Sequence, residues 1–161
     1  MRYAIDTPLG TMIAGEEKGS LRFLRFAGEG ESAPAGEREL ALRLKNWLAA
    51  YAAGRPPETD LPLEPEGTDF QKRVWRAACE IPYGETRSYG ELARAIGCGS
   101  ARAVGAALGK NPVWILIPCH RVVGKNGALT GYAGGLDRKR ILLEHERREK
   151  LPANQFLRCG L

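Results

Sequence analysis

Cys119 and His120 are neighbours in the run IPCHRVV, residues 117–123. A thiol beside an imidazole admits several chemistries. Cys119 could be a nucleophile with His120 as its base, a metal ligand, or a buried structural thiol. The chain has two histidines, His120 and His145, and four cysteines, Cys79, Cys98, Cys119 and Cys159. None of the cysteines forms a C-x-x-C pair, so a zinc site would need ligands scattered along the chain. A direct Cys119–His120 hydrogen bond is hindered if the run is a strand, because successive side chains then point to opposite faces. It needs a local turn or a bridging water. A protease-type dyad usually takes its histidine from elsewhere in the chain, which counts against a protease. From the residues alone, nucleophile and buried thiol both stay open.

Downstream, DRKRILLEHERR places Ile141, Leu142 and His145 on a helix. Glu146 lies four residues after Leu142 and so shares its apolar face. A carboxylate there needs a partner.

Stepping outward, the first third carries strand candidates RYAID, TMIAG and SLRFLRF, separated by the turns TPLG and EEKG. Leu40, Leu44, Trp47, Leu48 and Tyr51 then recur at helical spacing over residues 37–52. The connector GRPPETDLPLEPEGTD has too many prolines for a helix and reads as a linker. Thr68 and Gln71 form a capping box before a helix bearing Phe70, Val74, Trp75 and Ala78. Residues 88–95 and 100–109 read as two short helices around a turn at 97–99, with Ser100 as the second cap. This is a helix-turn-helix pattern. Its second helix is rich in small residues and carries one long cation, Arg102. The segment VWILIPCHRVV reads as a short buried strand or extended piece, GKNGALTGYAGGL as a glycine-rich loop, and Asp137 as the cap of the last helix. The fold class expected is α+β. A small antiparallel sheet with a helix (residues 1–66, including the linker) joins a mainly helical part with the helix-turn-helix (residues 67–161). Residues 151–161 read as a tail.

The 161 residues are 43% hydrophobic and 27% charged, an ordinary globular composition. No apolar run is long enough to span a membrane, and the N-terminus lacks a signal-peptide core. A soluble cytoplasmic protein with free thiols is expected. The net charge of +5 is uneven. Residues 1–67 hold eight Lys/Arg against eleven Asp/Glu, and residues 68–150 hold fifteen against eight. The basic second part suits a polyanion partner or a plain solvated surface.

Several motifs occur together and in order: FQKRVW, IPYGETRSYGELA, ARAVGAAL, NPVWILIPCHRVV and GYAGGLDRKRILLEHE. Over roughly residues 68–147 the chain resembles the O6-alkylguanine-DNA alkyltransferases, the methylated-DNA–protein-cysteine methyltransferases. The resemblance implies DNA repair by irreversible, stoichiometric transfer of an alkyl group from O6 of guanine to Cys119, and leaves open whether O4 of thymine is also accepted. No cofactor or metal is implied. By the family pattern His120 acts on Cys119 through a water, Glu146 orients His120, and Asn111 braces the site. Tyr89 assists flipping of the target base, and Arg102 fills the space the base leaves. Val122, Tyr132, Ala133 and the Gly134-Gly135 backbone line the pocket. The partner implied is double-stranded DNA with an alkylated guanine, bound through the minor groove by a monomer. The chain also departs from the pattern. Ala133 stands where some members have serine, Trp114 is larger than its counterpart in some members, and the structural zinc of some members has no visible ligand set.

Overall fold

The computed structural model describes residues 1–56 and 58–148. Strands β1 (Arg2–Thr7), β2 (Gly10–Glu17) and β3 (Ser20–Phe26) form an antiparallel meander in that order. In β1 the pattern alternates, with Tyr3 and Ile5 buried and Arg2 and Asp6 exposed. Lys18 and Gly19, at φ 51° and 80°, make the β2–β3 turn. Positive φ at both central residues matches the twist of a two-residue hairpin. Helix α1 (Glu39–Ala52) lays Leu40, Leu44, Trp47, Leu48 and Tyr51 into the core, the face its periodicity implies.

The connector does not behave as a free linker. Leu61 and Leu63 are buried, and Leu21 N–H donates to Pro62 O at 2.8 Å. The outer edge of β3 therefore binds the connector. Further along, the same edge binds the segment that leads to Cys119, since Leu24 N–H donates to Pro112 O at 2.9 Å and Trp114 N–H to Leu24 O at 2.8 Å. An edge strand presents unpaired donors and acceptors, and here other parts of the chain take them up.

Helix α2 (Asp69–Cys79) begins with the expected capping box, Gln71 N–H donating to Thr68 Oγ1 and Thr68 N–H to Gln71 Oε1. Gly67 lets the Trp75 ring approach, because a Cβ there would come within 2.5 Å of it. Helices α3 (Tyr89–Ala95) and α4 (Ala101–Gly109) form the helix-turn-helix, and Ser88 and Ser100 cap them. The Trp75 indole donates to Ala107 O at 2.9 Å and pins α4 to α2. Helix α5 (Leu136–Arg148) closes the described chain.

The segment before Cys119 corrects one expectation. VWILIPCHRVV is not a continuous strand. It makes isolated bridges at Val113 and Trp114, turns at Ile115 (φ 71°), and enters a single 3-10 turn at Cys119–Arg121. Only Val122–Val123 are a strand, β5, paired in parallel with β4 (Arg87–Ser88). Asp137 is likewise not the cap of α5 but lies in its first turn, where a carboxylate faces the positive end of the helix dipole. Among the described residues, Cys98 and Cys119 are free thiols.

Candidate active site

The 3-10 turn supplies the local bend that a strand would deny. Pro118 precedes it, Cys119 N–H donates to Ile117 O at 2.8 Å, and Arg121 N–H to Pro118 O at 3.0 Å. Cys119, His120 and Arg121 thus leave one tight turn in different directions, and all three are buried. Asn111 holds this turn from just beyond α4. Its side-chain N–H donates to Ile117 O at 3.0 Å and to Cys119 Sγ at 2.8 Å, while its Oδ1 accepts from Val113 N–H at 2.9 Å. Burial pushes the Cys119 thiol up to about 11, although Asn111 and the Lys139 charge pull it down. At neutral pH the sulfur is therefore a thiol, and a reaction at it needs a base.

Behind Cys119, Glu146 is saturated with donors. Its Oε1 pairs with His120 Nε2 at 2.7 Å and accepts from Tyr51 Oη at 2.8 Å and an Arg121 terminal N–H at 2.9 Å. Its Oε2 accepts from Arg121 Nε at 2.8 Å and Gly84 N–H at 3.3 Å. Burial raises the Glu146 pKa, but His120 and Arg121 outweigh this and hold the carboxyl well below the usual carboxylate range. Burial also lowers the His120 pKa, with Glu146 opposing. A neutral imidazole results, one nitrogen bound to Glu146. The other, Nδ1, is buried without a protein partner among the described residues. That nitrogen is free to accept a proton.

In front of Cys119 is a pocket of about 190 Å³, lined by Tyr89, Gly105, Leu108, Gly109, Cys119, Gly131, Tyr132 and Ala133. The structure brings Tyr132 and Ala133 to this pocket but not Val122, Gly134 or Gly135. Val122 is packed beneath, its carbonyl bound to Lys139 Nζ at 2.6 Å. Gly134 and Gly135 face a second cleft with Arg25, Phe26, Trp114 and Arg138. Trp114 stands behind Tyr132, ring centroids 6.0 Å apart, rather than in the pocket. A Cβ at Gly134 would meet the Tyr132 ring at 2.9 Å, so glycine is required for that packing. Tyr89 donates to Thr130 O at 2.7 Å, which ties α3 to the glycine-rich loop. Arg102 lies on the outer face of α4. It is exposed and makes no hydrogen bond or ion pair among the described residues. With Ala106 and Gly109 it forms a slim exposed strip at helical spacing.

Sequence reasoning missed three polar residues here. Arg121 had a visible signal, since a guanidinium inside an apolar run must be paired. Lys139 had one as well, because residues 139, 142, 143 and 146 share a helix face. Its ammonium is fully buried and donates to Val122 O, Thr130 O and Gly131 O. Burial brings it down to about 8. Tyr51 read as one more apolar position on α1, and nothing local hinted at its bond to a carboxylate 95 residues away.

Comparison with known proteins places the chain in a family. Residues 69–148 match the family model of the 6-O-methylguanine DNA methyltransferase DNA-binding domain. A methylated-DNA–protein-cysteine methyltransferase of Mycolicibacterium paratuberculosis is 62% identical over 111 residues, covering 68% of this chain and 67% of the relative. Its counterpart in Methanosarcina acetivorans is 48% identical over 154 residues, covering 91% of this chain and 98% of the relative. The crystal structure of Mycobacterium tuberculosis OGT in complex with DNA superposes with a TM-score of 0.82 at 46% identity, covering 94% of this chain and 95% of that one. At these identities and coverages, the chain belongs to the methylated-DNA–protein-cysteine methyltransferase family.

Proposed function

We propose that this protein repairs DNA by moving a methyl group from O6 of guanine to Sγ of Cys119. One C–O bond breaks and one C–S bond forms. The thioether has no route back, so each molecule acts once. The observation that carries this reading is the Cys119 thiol, held by Asn111 at the mouth of a pocket and backed by the His120–Glu146 pair.

In this mechanism His120 takes the thiol proton through a water at Nδ1, and Glu146 stabilises the imidazolium. The guanine leaving group gains negative charge, and the Tyr89 hydroxyl turns its one proton from Thr130 O to the base before a proton returns to the base. The target atom lies within the base stack, so the nucleotide must be flipped out. The slim strip on α4 suits entry into a minor groove, with Arg102 filling the gap in the stack. Val122, Gly134 and Gly135 support the pocket from behind, and Tyr132 and Ala133 contact the base. The O4 position of thymine, being a similar alkylated enol ether, is a second target.

A boundary at residues 66/67 separates the sheet-bearing part from the DNA-binding part, and the protein works as a cytoplasmic monomer. No helix among the described residues is long and apolar enough to cross a membrane. The direct test is incubation with duplex DNA bearing O6-methylguanine, followed by peptide mass analysis. The peptide containing Cys119 gains one methyl group. An unmodified Cys119 with the lesion intact contradicts the proposal.

A further inference from the structure

Tyr51 is part of α1, far in sequence from every residue of the proposed relay, yet its hydroxyl ends on Glu146. It donates to Oε1, the oxygen that also pairs with His120 Nε2. The contact is over-determined. The Tyr51 ring stacks on Trp47 at 5.6 Å and meets Tyr83 edge-on at 5.8 Å. His145, the residue before Glu146, bonds the Tyr51 carbonyl at 2.8 Å and lies 5.4 Å from its ring. Two successive residues of α5 thus grip one residue of α1, and the hydroxyl is left a single acceptor to serve.

We infer that Tyr51 is a positioning residue for alkyl transfer, through which the sheet-bearing part of the molecule sets the proton affinity of His120. The inference rests on the relay proposed above. A neutral donor on Oε1 withdraws charge from the oxygen that stabilises the imidazolium. With the hydroxyl present, His120 is less basic, and more of it is neutral and able to accept the Cys119 proton at a given pH. Among the described residues, the other charged and titratable groups around the relay are Glu146 and Lys139 of α5, Arg121 and Cys119 of the same turn, Tyr132, which is coupled to Cys119 and Glu146, and Tyr83, whose ring packs against Tyr51 and lies under the Arg121 guanidinium. Substituting phenylalanine for Tyr51 leaves all of these in place.

The test is the pH profile of the single-turnover transfer rate for the full chain, wild type beside Tyr51→Phe and Trp47→Phe. Removing the hydroxyl returns charge to Oε1 and favours the imidazolium. The midpoint at which the rate rises with pH therefore shifts upward in Tyr51→Phe by about one unit, and the rate below that midpoint falls about tenfold. Trp47→Phe loosens the same helix without touching the hydroxyl, and it leaves the midpoint where it is. Superposable profiles for wild type and Tyr51→Phe overturn the inference, as do equal shifts in both variants, since packing alone then explains them. A wild type that fails to methylate Cys119 overturns the proposed function instead. Unfolding curves taken alongside confirm that each variant is folded at the pH of the assay.

Discussion

Glu146 and Arg102 are charged side chains assigned to the same reaction, and their surroundings are opposite. Glu146 is fully buried, and both its oxygens are bonded, Oε1 to His120, Tyr51 and Arg121 and Oε2 to Arg121 and Gly84. Arg102 stands in solvent on α4 and has no hydrogen-bond or ion-pair partner among the described residues. The contrast extends to their neighbours. Behind Cys119 the polar groups form a buried network centred on Glu146, in which His120 Nδ1 is the atom left open to receive the thiol proton. In front of it are small residues, a glycine-rich loop, and a Tyr132 hydroxyl without a protein partner among the described residues. The arrangement separates two tasks. Proton handling needs fixed distances in a low dielectric, where a buried network is strong when complete. Recognition of a polyanion needs unsatisfied cations and a surface slim enough to approach it. The comparison predicts that substitutions behind the sulfur alter chemistry and stability together, and that those in front alter chemistry on DNA alone.

The largest effect belongs to the sulfur between the two regions. Cys119→Ser abolishes transfer, and duplex binding measured by fluorescence anisotropy stays within about twofold. Residual repair in that variant breaks the assignment of the nucleophile.

Glu146→Gln tests the buried side. Removing one partner from a buried ion pair costs about 3–5 kcal/mol. Urea unfolding at neutral pH reads that loss, and transfer slows with it. The cost also depends on pH. Glu146 is held below its ordinary 4.5, so below that value the unfolded chain binds the proton that the folded chain refuses. The stabilisation is complete above about pH 4.5 and is lost as pH falls toward the folded value. The gap between wild type and Glu146→Gln therefore narrows on acidification. A gap that stays constant contradicts the charge assigned to this carboxylate.

Arg102→Ala tests the exposed side. It weakens repair in duplex DNA about tenfold, roughly 1.4 kcal/mol, without altering stability or the reaction of Cys119 with a small thiol reagent. Equal repair rates in duplex DNA reject its role in the stack. The smallest effect belongs to Ala133. Serine there adds one donor at the pocket mouth, worth about 0.5–1.5 kcal/mol, so transfer by Ala133→Ser rises by about two- to tenfold. An unchanged rate removes the base oxygen from that position.

What could be read in advance divides along the same line. The caps at Thr68 and Ser100 and the apolar face of α1 follow from local spacing, and the structure forms them as expected. The segment that carries Cys119 did not. Its β-branched residues favour a strand, yet Asn111 ties down Ile117 O and Cys119 Sγ, and β3 takes Trp114 N–H. These non-local bonds override local preference and create the turn at Cys119–Arg121. The carboxylate on the last helix announced a need for a partner, because its burial was visible in the helix period. The identity of its partners was visible only in part. His120 came from the family resemblance, Arg121 was within reach of reasoning from charge in an apolar run, and Tyr51 depends wholly on how α1 and α5 meet. The second-cleft position of Gly134 and Gly135 was likewise invisible, since which side of a loop faces a pocket depends on packing against Trp114.

The central claim is that Cys119 is a one-use acceptor. It is tested most directly by titrating limiting protein into an excess of O6-methylguanine duplex and counting both products. Lesions removed and Cys119 methylated must rise together and stop at one per protein molecule. Continued lesion loss beyond that point, or a methyl group on any other residue, contradicts the account.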